Sequence, residues 1–396
     1  MTTSTQTPYD FDTRIDRRNT NAAKWDWFGD ALPMWVADMD FQSAEPIINA
    51  LHERVNHGVF GYQFDSPRLR DILVERMATR YGWAIMPKDI QFVPTLVSAL
   101  NVASRAFAAP GEEVLMLAPA YPPFLTAPKN DGRVAVVPEL AKVEQGQIIR
   151  YELDLDAFEA AITPRTKMFL LCNPHNPVGR SWSVAELEQI AEICLRHNLI
   201  IISDEIHCDL LFDGVKHTPI ATLSPEVAER TITLMSPSKT FNVPGLHLGF
   251  AIATNKELVD RFRLSAEGIV PSAGSMGFTA AEAAYTECQD WLDALLVYLE
   301  GNRNFLVHYV QEHFPAVKVT RPEATYLGWM DWRAVDLPDS AFKFCLERAK
   351  VAFSNGKDFG ESGDGFLRVN LGCPRSMLEE ALERVRVAVE SLQAGV

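Results

Sequence analysis

From about residue 90 onward, short apolar runs alternate with stretches of helical spacing. The runs 113–117, 133–137, 167–172, 199–203, 231–235 and 249–253 read as strands. Helical spacing covers 96–107, 183–197 and 255–264, and Ser183 followed by Glu186 is a capping box opening the second of these. Strands that are apolar throughout, separated by helices, predict an α/β fold with a mainly parallel sheet covered on both faces. Ahead of this region, Ile47, Ile48, Leu51 and Val55 mark a helix over 45–57, and a second amphipathic helix fits 67–81. The glycine-aromatic turn Gly58-Val59-Phe60-Gly61-Tyr62 separates them. Beyond it, 277–313 reads as a long helix with a break near Asp290 or Gly301. It leads into a smaller α+β unit with strands at 317–320, 326–332 and 366–371 and helices at 339–350 and 375–392. The expected organisation is an arm plus part of the small domain (1–45), a large domain (46–285) and a small C-terminal domain (286–396).

Ligands of parallel sheets sit at the carboxyl ends of the strands, so the residues just after each run carry the chemistry. Tyr121 follows 113–117, Asn173 follows 167–172, Asp204 follows 199–203, and Ser236-Pro237-Ser238-Lys239 follows 231–235. An aromatic, an amide, a carboxylate and an amine suit pyridoxal 5'-phosphate (PLP). Tyr121 can stack on its ring, and Asn173 can donate to its phenolic oxygen. A buried Asp204 can keep its pyridine nitrogen protonated. Lys239 can join its aldehyde as a Schiff base. Its phosphate can take Ser236 and the helix N-terminus at Leu96 and Val97. Each residue also has a plainer use: Asp204 as a helix cap, Asn173 as a turn brace, Tyr121 as core packing.

Composition narrows the partners. The 396-residue chain carries a formal charge of -15, which argues against nucleic acid and anionic membrane surfaces. Six cysteines without zinc-site or C-x-x-C spacing read as reduced thiols of a cytoplasmic protein. The polar opening Met1–Gln6 does not read as a secretory leader, and no apolar run is long enough to span a membrane. No metal site is expected.

The string N-P-x-N-P-x-G at 173–179, then D-E-x-x at 204–207, S-x-S-K at 236–239 and Pro244-Gly245, resembles the class I/II aminotransferase-fold PLP enzymes (fold type I). The resemblance runs from about residue 30 to 390. More narrowly, P-M-W-V-A-D-M-D-F at 33–41, Y-P-P-F at 121–124, D-E-I-H-C-D-L at 204–210 and S-P-S-K-T-F-N at 236–242 resemble the MalY/PatB branch of cystathionine beta-lyases, the C–S lyases.

The resemblance implies Lys239 as the cofactor lysine and catalytic base, Asp204 on the pyridine nitrogen and Asn173 beside the phenolic oxygen and substrate. Arg368 and the Ala37 N–H would grip the substrate α-carboxylate. Tyr62 would reach the phosphate of a neighbouring subunit, which requires a homodimer. His207 stands where many members carry a tyrosine, and His247 where many carry an arginine. Packing and a turn cap are the default readings of Trp35 and Asp38, and Trp35, with Tyr121, the 354–360 loop and partner residues, would build the substrate side-chain pocket. The implied reaction is α,β-elimination on a sulfur-containing L-amino acid, giving a thiol (homocysteine from cystathionine), pyruvate and ammonia. Two other readings stay open at this point: an aminotransferase on the same fold, and a regulatory PLP-fold protein acting by binding. The arm before the motifs is too short for the helix-turn-helix of transcriptional regulators of this fold.

Overall fold

The computed structural model describes residues 9–394, so the stretch Met1–Gln6 lies outside the described residues. A seven-stranded sheet forms the larger layer. Its spatial order is Ile90–Val93, Gly249–Ile252, Thr231–Met235, Ile200–Asp204, Thr166–Cys172, Glu113–Met116 and Val134–Val136. The five strands from Thr231–Met235 to Val134–Val136 run parallel, and Gly249–Ile252 is antiparallel to both its neighbours.

Side chains alternate between faces along each strand. Met168, Leu170, Ile202, Ile232 and Leu234 pack with helices Leu96–Phe107 and Lys256–Ala266. Phe169, Leu171, Leu115 and Ile201 point the other way, onto helix Val184–Arg196. Both faces are covered, which is why these strands read as continuous apolar runs rather than alternating ones. The Ser183–Glu186 capping box is formed.

The second sheet has six strands, in the order Ser354–Asn355, Phe366–Asn370, Leu327–Asp331, Lys318–Thr320, Ile148–Glu152 and Ala141–Gln145. Its last two strands come from the middle of the chain. That hairpin went unread in the sequence because 141–145 is a mostly exposed edge strand with no apolar run. Strand Ile90–Val93 was also unread; it is short and gains its identity from pairing with Gly249–Ile252. The long helix breaks at Cys288, between Ser275–Glu287 and Gln289–His313, and not at Gly301. Asn302, beside that glycine, donates to the carbonyls of Leu371 and Cys373, so tertiary bonds hold the helix there. In place of one helix over 339–350, a single turn at Ala341–Phe344 widens into a π-turn at Cys345–Ala349. The N-terminal arm docks by Phe11, which meets Phe41 and Trp291 edge-on; Trp25 in the same arm is buried and Trp27 exposed.

Gly179, closing the N-P-x-N-P-x-G string, has a fold-level cause. Its φ is +75°, and an added Cβ would lie 2.5 Å from Cβ and 2.9 Å from Cα of Pro322. Gly179→Ala is expected to cost about 2 kcal/mol or more, from backbone strain and steric clash together, read as a lowered midpoint in chemical denaturation.

Candidate active site

The carboxyl ends of the parallel strands open on one cavity of about 180 Å3. Lys239, Asp204, Tyr121, His207, Ser236, Leu96, Val97 and Ala37 all line it. Lys239 sits in the one-turn helix Pro237–Thr240, which begins as the fully buried strand Thr231–Met235 ends. Ser236 caps that turn, accepting from the Ser238 N–H at 3.1 Å. Thr240 anchors its far end by donating to Asp209, which is ion-paired to Arg76 at 2.6 Å and Arg80 at 3.1 Å. The Lys239 amine donates to the Ala37 carbonyl at 2.6 Å, and the Tyr326 hydroxyl donates to the same oxygen at 2.8 Å. Burial pushes the amine down to about 8; Asp38 opposes this, and Arg368 adds to it as a like charge.

Asp204, at the next strand end, accepts from the Ile206 N–H at 3.1 Å. Burial raises its carboxyl to about 7, against that hydrogen bond. In the cofactor-free protein the folded state therefore holds an extra proton between the ordinary carboxyl value and about 7. Stability from this group is present at low pH and lost as pH rises through that window. Asp204→Asn is expected to remove this contribution, so denaturation of the cofactor-free proteins at pH 5 and pH 8 should show a smaller loss for the variant.

Arg368 is buried in strand Phe366–Asn370. Its Nη1 donates to the Asn176 Oδ1 at 3.0 Å, and its Nη2 to the Trp35 carbonyl at 3.0 Å and Ser354 Oγ at 3.1 Å. The ring of Phe359 lies 4.8 Å beneath it. Burial pulls the guanidinium down to about 10, with Tyr121 and Tyr326 opposing. Asn173 is fully buried; its Oδ1 accepts from the Trp182 N–H at 3.1 Å. His207 packs edge-on to Tyr326, and burial, with the charges of Lys239 and Arg368, pulls its imidazole down to about 3.

Three buried polar atoms at this site lack a hydrogen-bond partner: Asn173 Nδ2, His207 Nδ1 and Arg368 Nε. An unpaired buried polar group costs about 1–3 kcal/mol, so such a set marks a place built to receive one. The residues fit PLP. Asn173 Nδ2 offers a donor to a phenolic oxygen. Asp204 offers a carboxyl oxygen to a pyridine N–H, Lys239 an amine to an aldehyde, and Tyr121 a flat partner. Helix Leu96–Phe107, capped by Thr95 at 3.1 Å to the Ser98 N–H, turns its N-terminus to the cavity, where its exposed N–H groups suit a phosphate. Gly249 lets that helix approach: a Cβ there would lie 2.4 Å from the Leu96 side chain.

Of the expected site residues, Tyr62 is not brought to this cavity, and Asn173 and Arg368 do not themselves line it, Arg368 reaching it through Asn176. Tyr62 is fully exposed, in a segment whose Val59, Phe60 and Phe64 are exposed as well. His247, at φ +52°, is exposed and does not line the cavity. Ser236 Oγ lies 2.6 Å from the Leu248 carbonyl and 2.8 Å from Ser238 Oγ, so its hydroxyl is already engaged. Residues that went unread include Asn176, Tyr326 and the carbonyls of Trp35 and Ala37. Asn176 had a signal, being the second asparagine of the N-P-x-N-P string. Tyr326 and the carbonyls had none, since only folding brings them to Lys239 and Arg368.

The chain matches the family aminotransferase class I and II over residues 37–385. It is similar to cystathionine beta-lyase PatB of Bacillus subtilis, with 38% identity over 96% of this chain and 99% of that protein. The crystal structure of OvoB has 44% identity and a TM-score of 0.91, covering 97% of this chain and 100% of that one. The structure of cystalysin from Treponema denticola, which contains a pyridoxal 5'-phosphate cofactor, has 33% identity and a TM-score of 0.93, covering 97% and 99%. The chain belongs to the aminotransferase class I and II family, in its MalY/PatB branch.

Proposed function

We propose that this protein is a PLP-dependent carbon–sulfur lyase that cleaves the Cβ–S bond of sulfur-containing L-amino acids. With cystathionine the products are homocysteine, pyruvate and ammonia. The observation that carries the reading is a buried lysine amine that lines the cavity, brought down to about 8, with the buried guanidinium of Arg368 close enough to act on it as a like charge. A full-length relative named cystathionine beta-lyase supports the choice of reaction.

Bound there, the cofactor supplies the electron sink for breaking the substrate's Cα–H bond. The chain's residues do the rest. Arg368 holds the substrate α-carboxylate, for which a guanidinium fork is the better match than an ammonium. The Ala37 N–H adds a second contact. Lys239 Nζ takes the Cα proton as general base; an amine near 8 is partly unprotonated at working pH. Asp204 would retain the proton on the cofactor's ring nitrogen, and Asn173 Nδ2 would hold its phenolic oxygen. The Cβ–S bond then breaks with its electron pair on sulfur. A thiolate departs readily because a thiol has a pKa of only about 8.5, and protonated Lys239 returns a proton to it. The three-carbon remainder hydrolyses to pyruvate and ammonia.

Incubation of the holoprotein with L-cystathionine and no keto acid tests this. Thiol and pyruvate should accumulate over many turnovers. The aminotransferase reading draws support from an aspartate aminotransferase of Pyrococcus abyssi at 27% identity. Turnover only when a keto acid is added, with no thiol released, would favour it. The exposed segment Val59, Phe60, Tyr62 and Phe64 supports a homodimer, with Tyr62 reaching the partner's phosphate site. Six buried free cysteines fit a reducing, cytoplasmic setting.

A further inference from the structure

Residues 34–41 run as a strap between the lysine turn and the Arg368 strand, and nearly every carbonyl in it is held. The Trp35 carbonyl takes Arg368 and Ser354; the Ala37 carbonyl takes Lys239 and Tyr326. Two asparagines hold the stretches between. Asn370 Nδ2 donates to the carbonyls of Val36 and Asp38, and its backbone N–H donates to Met34 at 2.9 Å. Asn370 is fully buried and stands two residues after Arg368, on the same face of the same strand. On the other side, Asn242 Nδ2 donates to the carbonyls of Met39 at 3.0 Å and Phe41 at 2.9 Å, while its Oδ1 accepts from the Met39 N–H at 2.8 Å. Asn242 stands three residues after Lys239, at φ +56°, a conformation that asparagine tolerates well.

We propose that Asn242 and Asn370 are positioning residues that set this strap in register with both the lysine turn and the Arg368 strand. They act on the substrate through Ala37 and Trp35. The Ala37 peptide meets the Lys239 amine, and the Trp35 carbonyl, with Asn176 and Ser354, sets the rotation of the Arg368 fork. If the strap slides, the carboxylate site loses its geometry, while the phosphate-side helix and Asp204, to which neither asparagine side chain is hydrogen-bonded, keep theirs. This rests on the reading of Lys239 and Arg368 given above.

The test uses Asn242→Gly, which keeps the left-handed backbone and deletes all three side-chain bonds. Asn370→Asp keeps the acceptor to the Gly372 N–H at 2.7 Å and deletes the two donors. Three quantities are measured on each: KM for L-cystathionine, affinity of the cofactor-free protein for PLP, and the labelling rate of Lys239 by an amine-reactive reagent in the cofactor-free protein. The expected result is a KM raised about tenfold or more, PLP affinity within about twofold, and Lys239 labelling several times faster as its Ala37 contact loosens. KM and labelling unchanged in both variants would overturn the proposal. So would a fall in PLP affinity as large as the rise in KM, which marks general disordering. Arg368→Lys runs alongside: if it raises KM while the asparagine variants do not, only the strap proposal falls. If it leaves KM unchanged, the reading of Arg368 falls.

Discussion

Lys239→Arg is expected to lower kcat for cystathionine cleavage by about 10³-fold or more while leaving the fold intact. Two functions go at once. The amine that joins the cofactor disappears, and so does the general base, which alone is worth about 10²–10⁴-fold. A guanidinium stays protonated, so it cannot take the Cα proton. The fold should tolerate the change because the turn is held by other groups: Ser236 at one end, and Thr240 on Asp209 at the other. The Ala37 carbonyl also keeps its second donor, Tyr326. Steady-state kinetics with a thermal melt on the same sample checks both halves. A variant retaining a tenth of wild-type kcat would remove Lys239 from the chemistry.

Arg368→Lys should lower kcat/KM by about 10²-fold, carried mainly by KM. Removing one partner of a buried, hydrogen-bonded charge pair costs about 2–5 kcal/mol, and a lysine restores only a point charge. The environment sharpens the contrast. Asn176, Trp35 and Ser354 fix the two terminal nitrogens, and Phe359 supports the plane from below. A lysine ammonium has no plane for that ring to support and cannot make the same three bonds. Kinetics with L-cystathionine, and with the same compound esterified at the reacting α-carboxylate, measures it. The variant should lose most of the wild-type preference for the free acid.

The sheet was legible because both its faces are covered, so that each parallel strand stands out as an apolar run. The catalytic set was legible for a related reason. Tyr121, Asn173, Asp204 and Lys239 each follow directly on such a run, where strand ends collect ligands. What escaped was set by tertiary pairing. The hairpin over 141–152 carries an exposed outer strand and takes its place in the sheet from Lys318–Thr320, far along the chain. The carbonyls of Trp35 and Ala37 carry no side-chain signal, and Tyr326 reaches Lys239 only through the packing of the second sheet. Asn242 closes the S-P-S-K-T-F-N string and Asn370 lies in the 366–371 run, yet their bonds go to backbone atoms that sequence spacing does not reveal. The helix break was legible: it falls at Cys288, two residues before Asp290, one of the two expected places, and that residue sits at φ −113°, ψ 19°, outside helical geometry.

The account depends most on the claim that four strand ends build one PLP site around Lys239. Borohydride reduction of the holoprotein, followed by peptide mapping, tests it directly. The cofactor's mass should be fixed, in stoichiometric yield, on the peptide containing Ser236-Pro237-Ser238-Lys239. Fixation on another lysine, or none at full cofactor occupancy, would contradict it.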